Sequence, residues 1–275
     1  MESYLQRLRD RDVRLISMDI EAEFNLHVYG ERFCLLQLAD EHEEVLVDPD
    51  AVSDALLKRL LENRNLLKIM YDCSSDRSLL YKTRRIELCS ILDLKPAVEL
   101  LELPKQDLSS VLASCLNLQT QGGDGAKKRF QQYNWTRRPI EPDALEYAIA
   151  DVRYLFELKT VLLARLTEAG LLDAFILENL KKQDSLPDIH RKPGVFRSGR
   201  YKKLSATGRK RFDQLYDIRE RHAQRLDLPP NSVVANGDLF DLAAERISVG
   251  GIRGNRRISS RDLDLVREEL GRIGP

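Results

Sequence analysis

The chain reads as an α/β protein: a mixed β-sheet flanked by helices, followed by a small all-α module. Three observations predict this. Three short apolar runs near the N-terminus, 13–21, 32–38 and 44–48, are separated by links of hairpin length. Two further runs, 66–71 and 86–93, alternate with helix-period stretches, the pattern of parallel strands joined by crossovers. Beyond residue 94 the periodicity is mostly helical, and the charge balance changes: residues 190–275 carry 19 Lys+Arg against 11 Asp+Glu, a net of +8. The preceding residues, with 25 basic and 33 acidic, then carry −8, so an acidic body precedes a basic module, an arrangement suited to nucleic-acid contact.

The first strand, Val13-Arg14-Leu15-Ile16 into Ser17-Met18-Asp19-Ile20-Glu21, places Asp19 and Glu21 on one face, because strand side chains alternate. Two carboxylates projecting together from an apolar strand repel each other. No Lys or Arg adjoins the pair, so a hard divalent cation such as Mg2+ or Mn2+ is the natural partner. Arg32–Leu38 and Glu44–Asp48 follow as the second and third strands of a meander. A helix is expected over about Asp50–Glu62, with Val52, Leu56, Leu57, Leu60 and Leu61 on its apolar face. Leu66–Tyr71 is the fourth strand, and the helix after it takes Ser74 or Ser75 as its cap, with Asp76 in the first turn. Ile86–Asp93 is the fifth strand.

The rest reads as helical. Leu108–Leu116 is a short apolar helix, and Gly122-Gly123-Asp124-Gly125 is a plain loop, since no Gly-Lys-Ser/Thr follows to make it a phosphate cradle. Pro142–Thr167 has the spacing of one long helix, with Tyr147 and Asp151 four apart on one face. Residues 184–206, with two Pro and two Gly, read as a linker. In the last module Thr207 caps a helix to about Leu226, Pro229-Pro230 stops it, Asp238–Ile247 forms a second, and Ser260 caps a third to Arg272. Val249 to Arg257 between them is a basic glycine loop.

A length of 275 residues allows one large domain or two smaller ones, and 43% hydrophobic residues suffice for an ordinary core. No apolar run reaches 18 residues, and Met1-Glu2-Ser3-Tyr4 lacks the opening of a signal peptide, so a soluble, cytoplasmic protein is expected. Cys34, Cys73, Cys89 and Cys115 are scattered, as are His27, His42, His190 and His222, which argues against zinc.

With Asp19, Glu21, Asp76, Tyr147 and Asp151 in view, the chain resembles the DEDD superfamily of 3′→5′ exonucleases, in the subgroup with a tyrosine in its third motif, and within it the ribonuclease D family. Phe33-Cys34-Leu35-Leu36-Gln37-Leu38 is similar to that family's second strand. Asn134-Trp135-Thr136-Arg137-Arg138-Pro139-Ile140 and Leu145 to Leu155 are similar to its third-motif region, and the likeness covers about residues 8–180. Two departures stand out. Tyr71 occupies the place of a frequent histidine, and Leu92-Asp93-Leu94 replaces a frequent Phe-Asp-Thr. Leu215–Glu220, Leu228–Val234 and Asp238–Ala243 resemble an HRDC module, of which there is room for one.

The resemblance implies a ribonuclease H-like sheet, an exonuclease domain over 1–183, a linker over 184–206 and an HRDC-like domain over 207–275. It implies hydrolysis with two divalent ions, Mg2+ or Mn2+, trimming RNA 3′ ends such as those of tRNA precursors and releasing nucleoside 5′-monophosphates. It also implies the roles: Asp19 bridging both ions, Glu21 and Asp151 on the ion that activates water, Asp76 positioning the other, and Tyr147 orienting the water. The expected partner is RNA with a free 3′ end, with Lys202, Lys203, Arg253, Arg256 and Arg257 as candidate phosphate contacts. Two rival readings differ in substrate or class: a DNA 3′→5′ exonuclease, since nothing here reads a 2′-hydroxyl, and a non-catalytic nucleic-acid-binding protein, which would have no reason to keep every acid.

Overall fold

The computed structural model describes residues 1–118, 128–185, 187 and 192–273, so the Gly122–Gly125 loop lies outside the described residues. These residues form two compact units, Met1–Ala22 with Arg32–Ile189, and Glu23–Glu31 with His190–Pro275.

The larger unit is built on a five-stranded mixed sheet in the order β3-β2-β1-β4-β5. Its strands are β1 (Leu15–Phe24), β2 (Glu31–Ala39), β3 (Glu44–Val47), β4 (Leu67–Met70) and β5 (Ile91–Asp93). β2 and β3 pair antiparallel, with Leu36 opposite Val47, as expected of a meander. The chain then crosses through α2 (Asp54–Leu61) to lay β4 parallel to β1, Ile16 beside Lys68, and through α3 (Ser74–Arg84) to lay β5 parallel to β4. β1 is therefore the strand from which the order runs both ways, and in such sheets ligands bind beyond the carboxyl ends of the strands at that switch point.

Alternation along β1 sorts its side chains. Ile16, Met18 and Ile20 enter a core with Leu36, Leu38 and Val47, closed by Tyr4, Leu5 and Leu8 of α1 (Glu2–Asp10) and by Leu57, Leu60 and Leu61 of α2. Asp19 and Glu21 belong to the other face. That face is covered by α4 (Lys95–Leu100), α5 (Leu108–Leu116), α6 (Pro142–Arg153), α7 (Leu155–Glu168) and α8 (Leu172–Asp184). Each fully buried Leu, Ile or Phe in these layers contributes roughly 1.5–3 kcal/mol by leaving water.

Several boundaries differ from expectation for identifiable reasons. α2 starts at Asp54 because Ser53 caps it, while Pro49–Ala51 makes a separate tight turn capped by Asp48. Cys73, not Ser74 or Ser75, holds the cap position of α3, without a side-chain bond. Only Ile91–Asp93 of the expected fifth strand is strand. Ile86 and Leu88 are buried, but the backbone amides of Ile86 and Cys89 donate to Leu80 and Leu61, and Arg85 and Ser90 have φ of 53° and 52°. The expected 142–167 helix breaks at Tyr154. The break re-aims one apolar period at two targets: Ala144, Ala148, Ile149 and Val152 face Cys34, Leu35 and Ala39, whereas Leu155, Leu158 and Leu162 face Ile69 and Val98.

The smaller unit packs α9 (Ala206–Leu226), α10 (Asn236–Ala243) and α11 (Ser260–Gly271) around Phe212, Leu215, Leu239, Phe240, Val266 and Leu270. Phe212 and Phe240 stack with centroids 4.5 Å apart. The caps are Ser205 and Ser259 rather than Thr207 and Ser260, and α10 spans 236–243 rather than 238–247. The expected 184–206 linker is largely structured at its far end. Gly194–Arg197 and Gly199–Lys202 are helical turns, and Val195, Phe196, Tyr201 and Leu204 pack on the module's core, Phe196 with its ring 4.7 Å from Tyr216. Gly254 of the basic loop approaches Leu263 closely: a Cβ there would lie 2.7 Å from Leu263 Cδ2, so that side chain would have to shift.

Candidate active site at the carboxyl end of β1

Asp19 and Glu21 come from the pleat of β1, Asp76 from the first turn of α3, and Tyr147 and Asp151 from one face of α6. Asp19, Tyr147 and Asp151 line one open pocket, with Tyr71, Asp107, Leu108, Ser109 and Leu155. Glu21 and Asp76 join the same electrostatic cluster. Burial pushes the Glu21 carboxyl well above the usual range, and the charges of Asp19, Asp151 and Asp76 push it further. Burial likewise raises Asp76, followed by the charges of Asp19, Asp72 and Asp93. Asp19 is pushed up to about 7 by burial, against a small opposing effect from the Ile20 backbone amide. Asp19, Glu21 and Asp76 therefore share a site that disfavours their ionised forms, and the charge of Asp151 adds to the field at Glu21.

Tyr147 stands in the same field. Burial, then the charges of Asp151, Glu21 and Asp19, raises its hydroxyl far above the ordinary phenol range, so it stays protonated and able to donate. Its ring stacks on Phe130 at 4.7 Å between centroids.

The donor set suits a hard divalent cation: carboxylate oxygens only, crowded and desolvated, so that added positive charge would favour ionisation. Among the described residues no group of three or more His, Cys, Asp or Glu stands close enough together to hold a metal ion as the side chains are placed. The acids share a field, and Asp19 and Asp151 a pocket, without a finished coordination sphere.

The third-motif stretch serves as a staple. Arg138 donates to Asp48 (2.6 and 3.1 Å) and to the carbonyls of Cys34 and Trp135 (2.7 and 2.8 Å), while Arg153 grips Glu44 (2.6 and 2.9 Å) and Glu146 (2.8 Å). These arginines fix the segments flanking Tyr147 and Asp151 against β2 and β3. Reading the sequence missed Tyr71, Asp107 and Ser109 as pocket walls and Phe130 as the platform under Tyr147. Only Tyr71 carried a signal, through its place ahead of Asp76. Its hydroxyl donates to the Gln106 carbonyl at 2.6 Å.

The five basic candidates of the smaller unit do not behave alike. Lys202, Lys203, Arg253 and Arg256 are exposed, and among the described residues no carboxylate pairs with them. Arg257 is engaged instead, donating to the carbonyls of Leu26 and His27 at 3.2 and 3.4 Å.

Comparison with known proteins bears on the whole arrangement. A ribonuclease D from Sphingobium indicum is 27% identical over 235 residues, covering 82% of this chain and 59% of the relative, so the chain spans about six-tenths of that protein's length. The solved catalytic core of RRP6 from Trypanosoma brucei superposes with a TM-score of 0.75 at 18% identity, covering 98% of this chain and 77% of that one. The solved RNase D of Escherichia coli, described as an exoribonuclease involved in structured RNA processing, superposes at 0.66 and 22% identity, over 98% and 72% of the two chains. These two superpositions bear out the expected fold of the nuclease sheet. The model of a 3′-5′ exonuclease domain matches residues 1–167, which hold all four acids and the tyrosine, and on that match the chain belongs to the 3′-5′ exonuclease family.

Proposed function

We propose that this chain is a metal-dependent 3′→5′ exoribonuclease of the ribonuclease D type, hydrolysing phosphodiesters from RNA 3′ ends, such as those of tRNA precursors, to release nucleoside 5′-monophosphates. The observation that carries the proposal is the shared electrostatic field of Asp19, Glu21, Asp76 and Asp151 around the Tyr147 hydroxyl. RNA is the proposed substrate class because the Sphingobium relative is named a ribonuclease and the solved RNase D is described as an exoribonuclease.

Enzymes of this family use divalent metal ions. Two, Mg2+ or Mn2+, would be held by Asp19, Glu21, Asp76 and Asp151, supplying charge to lower the pKa of the attacking water and to stabilise the leaving oxygen. The chain's own groups do the rest. The carboxylates give up their protons and fix the scissile phosphate's surroundings. The Tyr147 hydroxyl orients the attacking water by a hydrogen bond, its ring held by Phe130. Leu108 and Leu155 form the apolar part of the pocket wall, a surface for the terminal nucleotide.

In this reading residues 1–183 are the exonuclease domain and 207–275 an HRDC-like module. Exposed Lys202, Lys203, Arg253 and Arg256 contact phosphates of the substrate body. Arg257 is left out of that set because its guanidinium braces the 23–31 loop.

The test is a time course on a 5′-labelled tRNA precursor with a 3′ extension, beside single-stranded DNA of the same sequence. Both are run with Mg2+, with Mn2+ and with EDTA, using wild type and Asp151→Asn. A ladder shortening from the RNA 3′ end, lost in EDTA and in the variant, supports the proposal. The same ladder mainly on DNA replaces it with a DNA exonuclease. Tight RNA binding without any ladder makes the protein a non-catalytic binder.

A further inference from the structure

The end of β5 holds a buried polar assembly with no part in the pocket wall. Asp93 is fully buried, and its carboxylate takes five donors. Oδ1 accepts from the backbone amides of Asp72 and Lys95 at 2.8 and 2.9 Å. Oδ2 accepts from the Cys73 amide at 3.2 Å, the Cys73 thiol at 3.4 Å and Lys182 Nζ at 2.5 Å. Asp72 has φ of 60°, in the left-handed region, and Cys73 has φ and ψ of −67° and −2°. Successive left- and right-handed residues turn their amides into one concavity, which binds an anion. Here the anion is Asp93, and it stabilises a turn that a non-glycine residue otherwise resists.

α8 supplies the other half. Asn179 is buried, accepts from the Asp93 amide at 2.8 Å and donates to its carbonyl at 3.3 Å. Lys182 reaches the carboxylate one turn later. Arg77, itself buried, reaches back in the opposite direction, donating to the carbonyls of Lys182 and Ser185 and to the Ser185 hydroxyl. Asp76 lies between these fastenings, with the Asp72-Cys73 turn just before it and Arg77 just after it.

We infer that Asp93, Lys182 and Arg77 form a positioning clamp by which the C-terminal turn of α8 sets the placement of Asp76 in the site. The inference rests on the reading of Asp76 as a metal-holding acid. α8 thus reaches the chain on both sides of Asp76: through Lys182 and Asp93 to the Asp72-Cys73 turn before it, and directly to Arg77 after it. Lys182 is a positioning residue: it touches neither pocket nor substrate. It fixes Asp93, which fixes the turn, which aims Asp76. Partners of this kind typically carry about 10- to 100-fold of metal affinity or activity.

The test is Mn2+ binding by calorimetry and by loss of the free-ion electron paramagnetic resonance signal, on full-length protein well below its melting temperature. Lys182→Met should weaken Mn2+ binding about 10-fold or more and lower kcat with little change in KM for RNA. Lys182→Arg should recover most of both. Leu57→Ala, which cuts into the buried core on the opposite face of the sheet, is the stability control and should lower the melting temperature but leave Mn2+ affinity unchanged. Should Lys182→Met fail to fold, Arg77→Gln removes the opposite fastening and should weaken Mn2+ in the same direction. Wild-type Mn2+ affinity in whichever variant folds overturns the clamp. Asp76→Asn separates the two levels: if it binds Mn2+ like wild type, the assignment of Asp76 fails, and the clamp falls with it.

Discussion

Replacing Asp19 by Asn should strengthen the metal-free fold at alkaline pH while abolishing cleavage. Burial raises the Asp19 carboxyl from 3.8 to about 7. An acid whose pKa is higher folded than unfolded costs stability once pH exceeds the unfolded value, and the full cost is present above the folded value. At about 1.4 kcal/mol per pKa unit, that ceiling is about 4 kcal/mol at pH 8 and under about 2 kcal/mol at pH 5, where the folded carboxyl keeps its proton. Asn is neutral in both states and removes the pH-dependent part. Relaxation and water entry reduce such ceilings, so a differential of about 1–2 kcal/mol between the two pH values is expected. At about 2–4 °C per kcal/mol for a unit of this size, the melting temperature in EDTA should gain ~2–8 °C more at pH 8 than at pH 5. Differential scanning fluorimetry of both proteins at the two pH values reads this, and the ladder assay on the same preparations reads activity. An equal change at both pH values, or a lower melting temperature confined to pH 8, would refute the placement of Asp19 in a desolvated acid cluster.

Three further outcomes follow from the same structure. Tyr147→Phe keeps the ring on Phe130 and removes only the hydroxyl, so single-turnover cleavage should fall about 10-fold or more while Mn2+ binding by calorimetry stays unchanged. Arg253→Glu with Arg256→Glu should weaken RNA binding and flatten its dependence on salt by about two charges' worth, read as the slope of log affinity against log salt concentration, because both side chains are exposed. Gly254→Ala places a methyl 2.7 Å from Leu263 Cδ2, so the smaller unit should lose about 1–3 kcal/mol, measured by urea unfolding, with the Mn2+ affinity of the acid site preserved.

The parts of the fold that were legible in the sequence are those that local alternation encodes. β1 announces its two faces through Ile16, Met18 and Ile20 against Asp19 and Glu21, and the meander follows from hairpin-length links. The offset of Tyr147 from Asp151 is likewise a local quantity, one helical turn. Boundaries failed where a long-range contact overrode the local pattern. Residues 86–90 are apolar enough for a strand, yet their amides turn to Leu80 and Leu61 instead. Tyr154 interrupts an unbroken helical period because the helix must serve two cores on different sides. Val195, Phe196 and Tyr201 were hidden among glycines, prolines and basic residues, although three large apolar side chains in seven residues were the available signal.

Asp93 shows why a site cannot be read from acid spacing alone. By pattern it is one more carboxylate on a strand, as Asp19 is. What separates them is the supply of donors. Asp93 receives two amides of a left-handed turn, a third amide and a lysine, and these hold its carboxyl below the usual range despite the opposing effect of burial. Asp19 is half-buried with little beyond the Ile20 amide to offset the cost, and its carboxyl rises. One acid is satisfied by its own chain and therefore builds structure. The other keeps the cost of its burial, and its charge in turn raises the carboxyls of Glu21 and Asp76 beside it. One of these donors, Lys182, comes from α8, some ninety residues downstream, a separation at which neither composition nor periodicity carries information about contact.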